Sequence, residues 1–127
     1  MPRYVVLRHE TPPNYARPLH WDLMLEADDW LWTWALEEPP RYDASIVAWP
    51  LADHRLEYLE YEGPVSNNRG VVARWDAGQY ELIRRYDDEI VVRLGGEKLL
   101  GKATVIRQGG DDLDRDDHRW VAWFERE

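Results

Sequence analysis

Two side chains in the segment Leu19–Ala27 could together hold a cation or a phosphate. The segment reads Leu-His-Trp-Asp-Leu-Met-Leu-Glu-Ala, and as a β-strand it places His20 and Asp22 on one face. The two backbone positions are then about 6–7 Å apart, at a strand rise of about 3.3 Å per residue. An imidazole and a carboxylate so placed can bind one metal ion or one phosphate. A half-buried strand with a polar outer face has the same pattern. The opposite face is hydrophobic and consists of Leu19, Trp21, Leu23 and Leu25.

Histidines elsewhere in the chain extend this candidate site. His9 ends the first predicted strand, and His54 directly precedes a predicted strand that carries Tyr58. Two imidazoles and one carboxylate on adjacent strands suit a divalent ion such as manganese, iron or zinc. The chain has no cysteine, so disulfides and thiolate metal sites are excluded. The fourth histidine, His118, belongs to an acidic loop that contains Asp111–Asp117, and we expect it to be solvated.

Short segments with alternating or β-branched residues, separated by turn residues, recur along the chain and predict strands. The predicted strands are Arg3–His9, Leu19–Ala27, Trp30–Leu36, Ser45–Trp49, Leu56–Tyr61, Gly70–Trp75, Gln79–Arg84, Glu89–Leu94, Leu99–Gln108 and Arg119–Glu125. The tripeptide Asp76-Ala77-Gly78 is predicted to form a hairpin turn between two of them. No window of about a dozen residues has a helical period. We therefore predict an all-β fold, a single antiparallel barrel or sandwich of about nine or ten short strands, with residues 1–127 forming one domain.

The charge balance of the chain is acidic. Sixteen Lys and Arg residues against 25 Asp and Glu residues give a formal net charge of −9. Proteins with broad affinity for duplex nucleic acid neutralise its phosphates with Lys and Arg, so this composition argues against such affinity. The chain has no apolar stretch of about 18 residues and no signal-peptide pattern, and a soluble, cytoplasmic protein without a membrane partner is expected.

Several motifs occur in a fixed order over nearly the whole chain. They are Tyr4–His9, Leu19–Glu26, Leu31–Leu36 followed by prolines, Asp53–Tyr58, Tyr61–Gly63, Trp75–Glu81 and Gly96–Gly101. Together they resemble the 3′-phosphoesterase domain attached to bacterial DNA ligase D, which also exists as a stand-alone protein. Leu19–Glu26 matches the family signature Leu-His-Tyr-Asp-Phe-Arg-Leu-Glu, and Asp53–Tyr58 matches Asp-His-Pro-Leu-Glu-Tyr. Several ordered matches are far more specific than any single one.

The resemblance implies a fold, a reaction and a set of site residues. The implied fold is a compact β-barrel. The implied reaction is the healing of DNA or RNA 3′ ends in non-homologous end joining, by manganese-dependent hydrolytic removal of a terminal ribonucleoside and then of a 3′-phosphate. The implied metal ligands are His9, His20 and Asp22, and the implied phosphate-contacting pair is His54 and Tyr58. The expected partners are nucleic-acid 3′ ends, bound weakly and through the terminus, and a DNA ligase or other repair proteins.

The chain departs from the family pattern at basic positions. The family arginine two residues after the aspartate is Met24, a family lysine falls near Glu38, and another basic residue falls near Ile46. An arginine grips a phosphate with two parallel hydrogen bonds, which methionine cannot form. We therefore expect slow or absent phosphoesterase activity, and we expect Met24→Arg to raise it. Four arginines could replace the lost grip: Arg17, Arg41, Arg55 and Arg69.

Two other functions are compatible with the sequence. A barrel that has lost its phosphate grip could act as a non-catalytic binding or interaction module. A His-x-Asp motif with a distant histidine is also the ligand pattern of the two-His, one-carboxylate iron oxygenases. The oxygenase interpretation explains none of the later motifs.

Overall fold

The computed structural model describes residues 1–108 and 119–127, so the acidic run Asp111–Asp117 and His118 lie outside the described residues. The described part consists of β-strands and one short 3₁₀ helix, and the predicted all-β fold is confirmed. The strands are β1 (Arg3–Glu10), β2 (His20–Ala27), β3 (Trp30–Leu36), β4 (Ser45–Arg55), β5 (Gly63–Pro64), β6 (Val71–Tyr86), β7 (Glu89–Gly96), β8 (Leu100–Arg107) and β9 (Trp120–Arg126). The 3₁₀ helix is Leu56–Leu59. No helix of the described residues has the length and hydrophobicity that crossing a bilayer requires.

The strands form one antiparallel sheet that closes on itself. Hydrogen-bonded neighbours follow the order β1-β2-β3-β4-β9-β8-β7-β6, and β6 pairs back with β1. The two-residue strand β5 pairs with the beginning of β6. Such closure leaves few unpaired strand edges. The predicted antiparallel barrel is therefore confirmed.

Strand β6 is continuous, and the predicted hairpin turn at Asp76-Ala77-Gly78 is wrong. The first half of β6 pairs with β1 and the second half pairs with β7, so one long strand serves two neighbours. The Asp76 side chain does not initiate a turn. It is buried and accepts hydrogen bonds from the Tyr4 hydroxyl and from the backbone amides of residues 97, 98 and 99. A carboxylate with that many donors stabilises the turn between β7 and β8.

The predicted strand Leu56–Tyr61 is also wrong, because its first four residues form the 3₁₀ helix. Positions three apart lie on one side of a 3₁₀ helix. Leu56 and Leu59 have this spacing, and both contact the same apolar cluster, with Leu59 buried. The helix brings Tyr58 against that cluster as well. Burial of Leu59 against the sheet accounts for a helical turn in place of a strand.

Two apolar clusters cover the two faces of the sheet. The main core contains Leu23 and Leu25 of β2 and residues from most other strands. The second cluster lies on the opposite face and consists of Val5, Leu7, Met24, Leu31, Leu59, Val65 and Val72. Strand β2 is therefore buried on both faces, and its polar face is not solvated. This burial encloses His20 and Asp22, which are 4% and 3% exposed.

Candidate metal centre and adjacent cavity

Three predicted ligands converge where β1 meets β2. In the antiparallel register His9 lies opposite His20, and Leu7 lies opposite Asp22. The hairpin pairing and the two-residue strand period therefore place all three polar side chains on one face. One ligand atom from each of the three lies within 4.8 Å of the others. The centroids of the two imidazole rings are 4.7 Å apart.

Backbone carbonyls fix the orientation of both imidazoles. His9 Nε2 lies 2.7 Å from the Arg69 carbonyl oxygen, and His20 Nδ1 lies 2.8 Å from the Pro18 carbonyl oxygen. A carbonyl can only accept, so each of these nitrogens carries the proton. In the neutral rings the lone pairs are then on His9 Nδ1 and His20 Nε2. These atoms lie 3.3 and 3.1 Å from the two carboxylate oxygens of Asp22. Metal-binding histidines typically donate their second nitrogen in this way.

The carboxylate of Asp22 has an unmet bonding capacity. Its Oδ1 atom is buried and has no hydrogen-bond partner among the described residues, although His20 Nε2 is nearby. In the neutral ring, His20 Nε2 has no proton to donate to this oxygen, because the proton is on Nδ1, where the Pro18 carbonyl accepts it. Two nitrogen lone pairs and a buried carboxylate that face one another repel unless a cation or proton lies between them. The donor set therefore fits a divalent metal ion.

The pKa directions agree with this electrostatic picture. Burial alone would raise the pKa of Asp22, but the adjacent His20 and His9 imidazoles outweigh burial and hold it below its usual value. Burial alone would lower the pKa of His9, but Asp22 and the Arg69 carbonyl outweigh it and raise that pKa. In the absence of a metal, these directions favour the ionised form of Asp22 and the protonated form of His9.

The triad opens onto a cavity of about 560 Å³. The same cavity is lined by His54 and Tyr58, so the structure brings all five predicted site residues to one place. The other polar residues that line it are Tyr15, Arg17, Asp53, Arg55, Glu57, Ser66 and Arg69.

His54 reaches the cavity from a bulged strand. Strand β4 continues through Pro50 to Arg55, beyond the end predicted at Trp49. Leu31 pairs with His54 and Thr33 with Leu51, so β4 has one more residue than β3 between these pairs. A bulge redirects the side chains beside it. The bulge also supplies the Ala52 carbonyl, which accepts a hydrogen bond from His54 Nδ1 at 2.8 Å and leaves Nε2 for another partner.

Tyr58 is presented by the 3₁₀ helix. Its ring meets the His54 ring edge-on, with centroids 5.8 Å apart, and meets the Tyr61 ring edge-on at 6.0 Å. No hydrogen bond of the Tyr58 hydroxyl is found within the described residues. The hydroxyl is thus available at the cavity wall. A strand over the same residues, as predicted from the sequence, would not give this arrangement.

The three positions at or near which the family resemblance expects a basic residue lie in different surroundings. Met24 is 1% exposed and packs in the second apolar cluster, with one side at the cavity. Glu38 forms an ion pair with Arg41. Ile46 is fully buried in the main core. An arginine at position 24 would therefore enter apolar surroundings, which the sequence comparison alone did not indicate.

Three of the four candidate arginines line the cavity, and Arg41 does not. Arg17 and Arg69 are supplied by loops, and Arg55 by the end of β4. Loop positions have no periodic signal, so the sequence could name these residues but could not locate them. Sequence reasoning also missed the Pro18 and Arg69 carbonyls that orient the imidazoles, because a backbone acceptor has no residue-type signature.

Comparison with known proteins identifies, along most of the chain, the family that the ordered sequence motifs resemble. The family described as "DNA Ligase D 3'-phosphoesterase domain" matches residues 12–107. The multifunctional non-homologous end joining DNA repair protein LigD of Mycobacterium tuberculosis is 33% identical over 118 residues, which cover 86% of this chain and 15% of that protein. The LigD proteins of Pseudomonas aeruginosa and Mycolicibacterium smegmatis are each 32% identical, over 83% and 85% of this chain and 13% and 16% of their own length.

The chain therefore spans about one seventh of the length of these relatives. The resemblance found in the ordered motifs is confirmed by the family match over residues 12–107. The chain belongs to the DNA ligase D 3′-phosphoesterase domain family.

Proposed function

We propose that this protein is a metal-dependent phosphoesterase that removes a 3′-phosphate or a 3′-ribonucleoside from nucleic-acid ends during DNA repair. The observation that supports it best is the triad, in which two oriented lone pairs face the two oxygens of the Asp22 carboxylate, one of which is buried without a hydrogen-bond partner among the described residues. The cavity beside the triad has room for a terminal nucleotide phosphate. Because the named relatives are end-joining repair proteins, a DNA ligase is the natural partner.

His9, His20 and Asp22 would hold the ion, for which the family resemblance names manganese. A bound divalent cation supplies Lewis-acid polarisation of a phosphoryl oxygen. The protein itself fixes the ligands before binding, because both imidazoles are already oriented by carbonyls. That preorganisation lowers the cost of assembling the centre.

His54 and Tyr58 would act on the substrate phosphate. With Nδ1 bonded to the Ala52 carbonyl, His54 can present a protonated Nε2 that donates to a phosphate oxygen or protonates a leaving oxygen. The Tyr58 hydroxyl can donate to a second oxygen. The reaction would be slower than with an arginine at position 24, because Met24 offers no charged donor there and the loss of a transition-state donor typically costs about 2.7–4 kcal/mol.

A second function, a non-catalytic module that binds 3′ ends, is supported by the same loss of basic residues at Met24, Glu38 and Ile46. The iron oxygenase interpretation receives no support from the family match.

The test is an assay of end processing by the purified protein. The substrates are single-stranded oligonucleotides that end in a 3′-phosphate or in a single 3′-ribonucleotide, incubated with Mn²⁺ or with EDTA. We expect slow, Mn²⁺-dependent release of phosphate and of the ribonucleoside. We expect no release by His20→Ala or Asp22→Asn, and at least tenfold slower release by His54→Ala, as for the loss of one acid–base group.

Metal binding is measured separately, by titration calorimetry and by the shift in melting temperature with Mn²⁺. Asp22→Asn should lose the shift, whereas Asp29→Asn, an exposed aspartate in a turn, should retain it. Metal binding with terminus-dependent oligonucleotide binding but no turnover would assign the non-catalytic module instead. Wild-type activity in EDTA would contradict the metal-dependent proposal.

A further inference from the structure

The arginines of the described residues divide into those with a carboxylate partner and those without one. Many arginines of the described residues are neutralised by carboxylates: Arg3, Arg8, Arg41, Arg84 and Arg93. Within the described part of the chain, no carboxylate partner is found for Arg17, Arg55 or Arg69, although each lines the cavity. In a chain of net charge −9, three guanidinium groups without an ion pair among the described residues line one cavity, together with the carboxylates of Asp22, Asp53 and Glu57, and they are available to an anion.

Arg17 and Arg69 belong to the two loops that orient the metal ligands. The loop before β2 supplies the Pro18 carbonyl to His20, and its neighbour Arg17 lines the cavity. The loop before β6 supplies the carbonyl of Arg69 itself to His9. Each imidazole is thus held by a loop that also delivers one arginine to the same cavity.

Each loop is joined to a strand by its carbonyl–imidazole contact and is also held by a hydrogen bond within the loop. The Arg17 carbonyl accepts a hydrogen bond from Thr11 Oγ1 at 2.8 Å. In the other loop, the Arg69 guanidinium donates to the Ser66 carbonyl at 2.8 Å and to Ser66 Oγ at 3.0 Å. Gly70, at φ +103°, packs so closely on the Glu10 carbonyl that a Cβ there would lie 2.1 Å from its oxygen. The arginines therefore extend from fixed backbone and not from free loop tips.

We propose that Arg17 and Arg69 together form the phosphate clamp of this protein, in place of the strand arginine that Met24 replaces. The clamp binds the terminal phosphate of a nucleic-acid 3′ end from the two sides of the triad. This inference rests on the proposed function, since it specifies the anion that the cavity takes. Arg55 is the weaker third candidate, because it lies between Asp53 and Glu57, both of which line the cavity and offset its charge.

The test measures binding without turnover. Fluorescence anisotropy in EDTA compares a single-stranded oligonucleotide that ends in a 3′-phosphate with the same strand ending in a 3′-hydroxyl. The variants are Arg17→Gln and Arg69→Gln, with Arg55→Gln as the control inside the cavity and Arg41→Gln as the control outside it. The melting temperature of each variant, with and without Mn²⁺, checks that the fold and the metal centre remain intact.

Wild type should bind the 3′-phosphate strand more tightly, and Arg17→Gln and Arg69→Gln should each weaken that binding about tenfold, as expected for one charge-assisted hydrogen bond. Each should also reduce the slope of log K against log salt by about 0.7, the value for one phosphate contact on a single strand. Binding of the 3′-hydroxyl strand and the Mn²⁺-induced melting shift should not change.

The inference is overturned if wild type has no preference for the phosphate terminus, or if neither loop variant weakens binding. It is also overturned if Arg55→Gln or Arg41→Gln causes the larger loss. This binding assay contains no metal, so its result does not depend on catalytic turnover. An absence of turnover in the Mn²⁺ assay would count against the proposed reaction, and the clamp would still be judged by binding alone.

Discussion

At the scale of single residues, the ionisation of Asp22 depends on two imidazoles, and each imidazole is oriented by a backbone carbonyl. The strand period predicted that His20 and Asp22 share a face, and the structure brings His9 to them across the β1–β2 register. The tautomers could not be predicted, because they follow from the Pro18 and Arg69 carbonyls in two loops. Residue types thus indicated the ligands, and the backbone carbonyls determine which nitrogen of each imidazole has the free lone pair.

We expect the metal-free protein to depend on pH through the His9–Asp22 pair. The pKa of His9 is raised above its usual 6.5, so its stabilising effect is complete below that value and is lost as pH rises through the raised pKa. The pKa of Asp22 is lowered below its usual 3.8, so its effect is lost only as pH falls through the lowered pKa. His9→Gln should therefore reduce the melting temperature more at pH 5.5 than at pH 8.5, as measured by calorimetry in EDTA.

The control for this measurement is Glu10→Gln, which removes an exposed charge next in sequence without touching the triad. An equal loss for His9→Gln at both pH values would mean that the histidine stabilises by packing and hydrogen bonding alone, without an ion pair.

Met24→Arg should lower the stability of the protein. Its side chain is 1% exposed and packs with Val5, Leu7 and Leu31, so a guanidinium there is desolvated among apolar groups. We expect urea unfolding of the metal-free variant to show a loss of about 2 kcal/mol or more. Met24→Leu should cost less than about 1.5 kcal/mol, because it conserves volume and polarity.

If the Met24→Arg variant is as stable as the wild type, its guanidinium reaches the cavity and is not buried among apolar groups. In that case the increase in phosphate release predicted from the family arginine should appear in the end-processing assay.

At the scale of elements, alternation located most strands but could not show how long one strand continues. Asp76-Ala77-Gly78 has the composition of a turn, yet it lies within β6, because the Asp76 carboxylate is occupied by donors from another part of the chain. The 3₁₀ helix was missed for a related reason, since burial of Leu59 overrides a short alternating pattern. Both errors concern long-range contacts, which a local pattern does not contain.

Gly78 is where β6 passes from one neighbour to the other, and it should not tolerate a side chain. It pairs with Tyr4 of β1 and with Gly96 of β7. A Cβ at Gly78 would lie 2.1 Å from the Gly95 carbonyl oxygen, and backbone atoms cannot move aside cheaply. Gly78→Ala should cost about 1–3 kcal/mol of unfolding free energy in urea denaturation.

Gly95→Ala is the matched control for the crossing. Its Cβ would meet no atom nearer than the Gln79 carbonyl oxygen at 3.7 Å, an ordinary contact distance. It should be neutral or slightly stabilising, since alanine restricts the unfolded chain. Equal losses for the two variants would mean that the close approach at Gly78 does not limit packing.

At the scale of the whole molecule, the distribution of charge disfavours general binding to duplex nucleic acid but permits binding of an anion at one cavity. The net charge is −9, and many of the arginines of the described residues already have carboxylate partners. Three arginines without a carboxylate partner in the described part of the chain, Arg17, Arg55 and Arg69, line one cavity and form no stripe that could follow a duplex. Composition alone predicted the weak general affinity, but it could not predict that three of the described arginines without ion pairs line the cavity beside the triad.

We expect weak binding to long duplex DNA, with a salt slope below about two, because few phosphates can be contacted at once. Affinity should follow the number of 3′ ends and not the duplex length. Anisotropy with blunt duplexes of two lengths and unmodified 3′-hydroxyl ends, over a range of KCl concentrations, measures both quantities. Tight binding at physiological salt that increases with length would contradict the expectation.

The closure of the barrel between β1 and β6 also sets the order in which the metal centre can assemble. His9, His20 and Asp22 belong to one local hairpin, but the carbonyl that orients His9 comes from Arg69, 60 residues further along the chain. Contacts between such distant residues form late and slowly during folding. A chain synthesised only as far as β4 therefore contains all three ligands and the Pro18 carbonyl, but it lacks the Arg69 carbonyl that orients His9. Metal binding by a refolding chain should therefore begin when β6 pairs with β1 and closes the barrel. The β1–β2 hairpin alone should not show this binding.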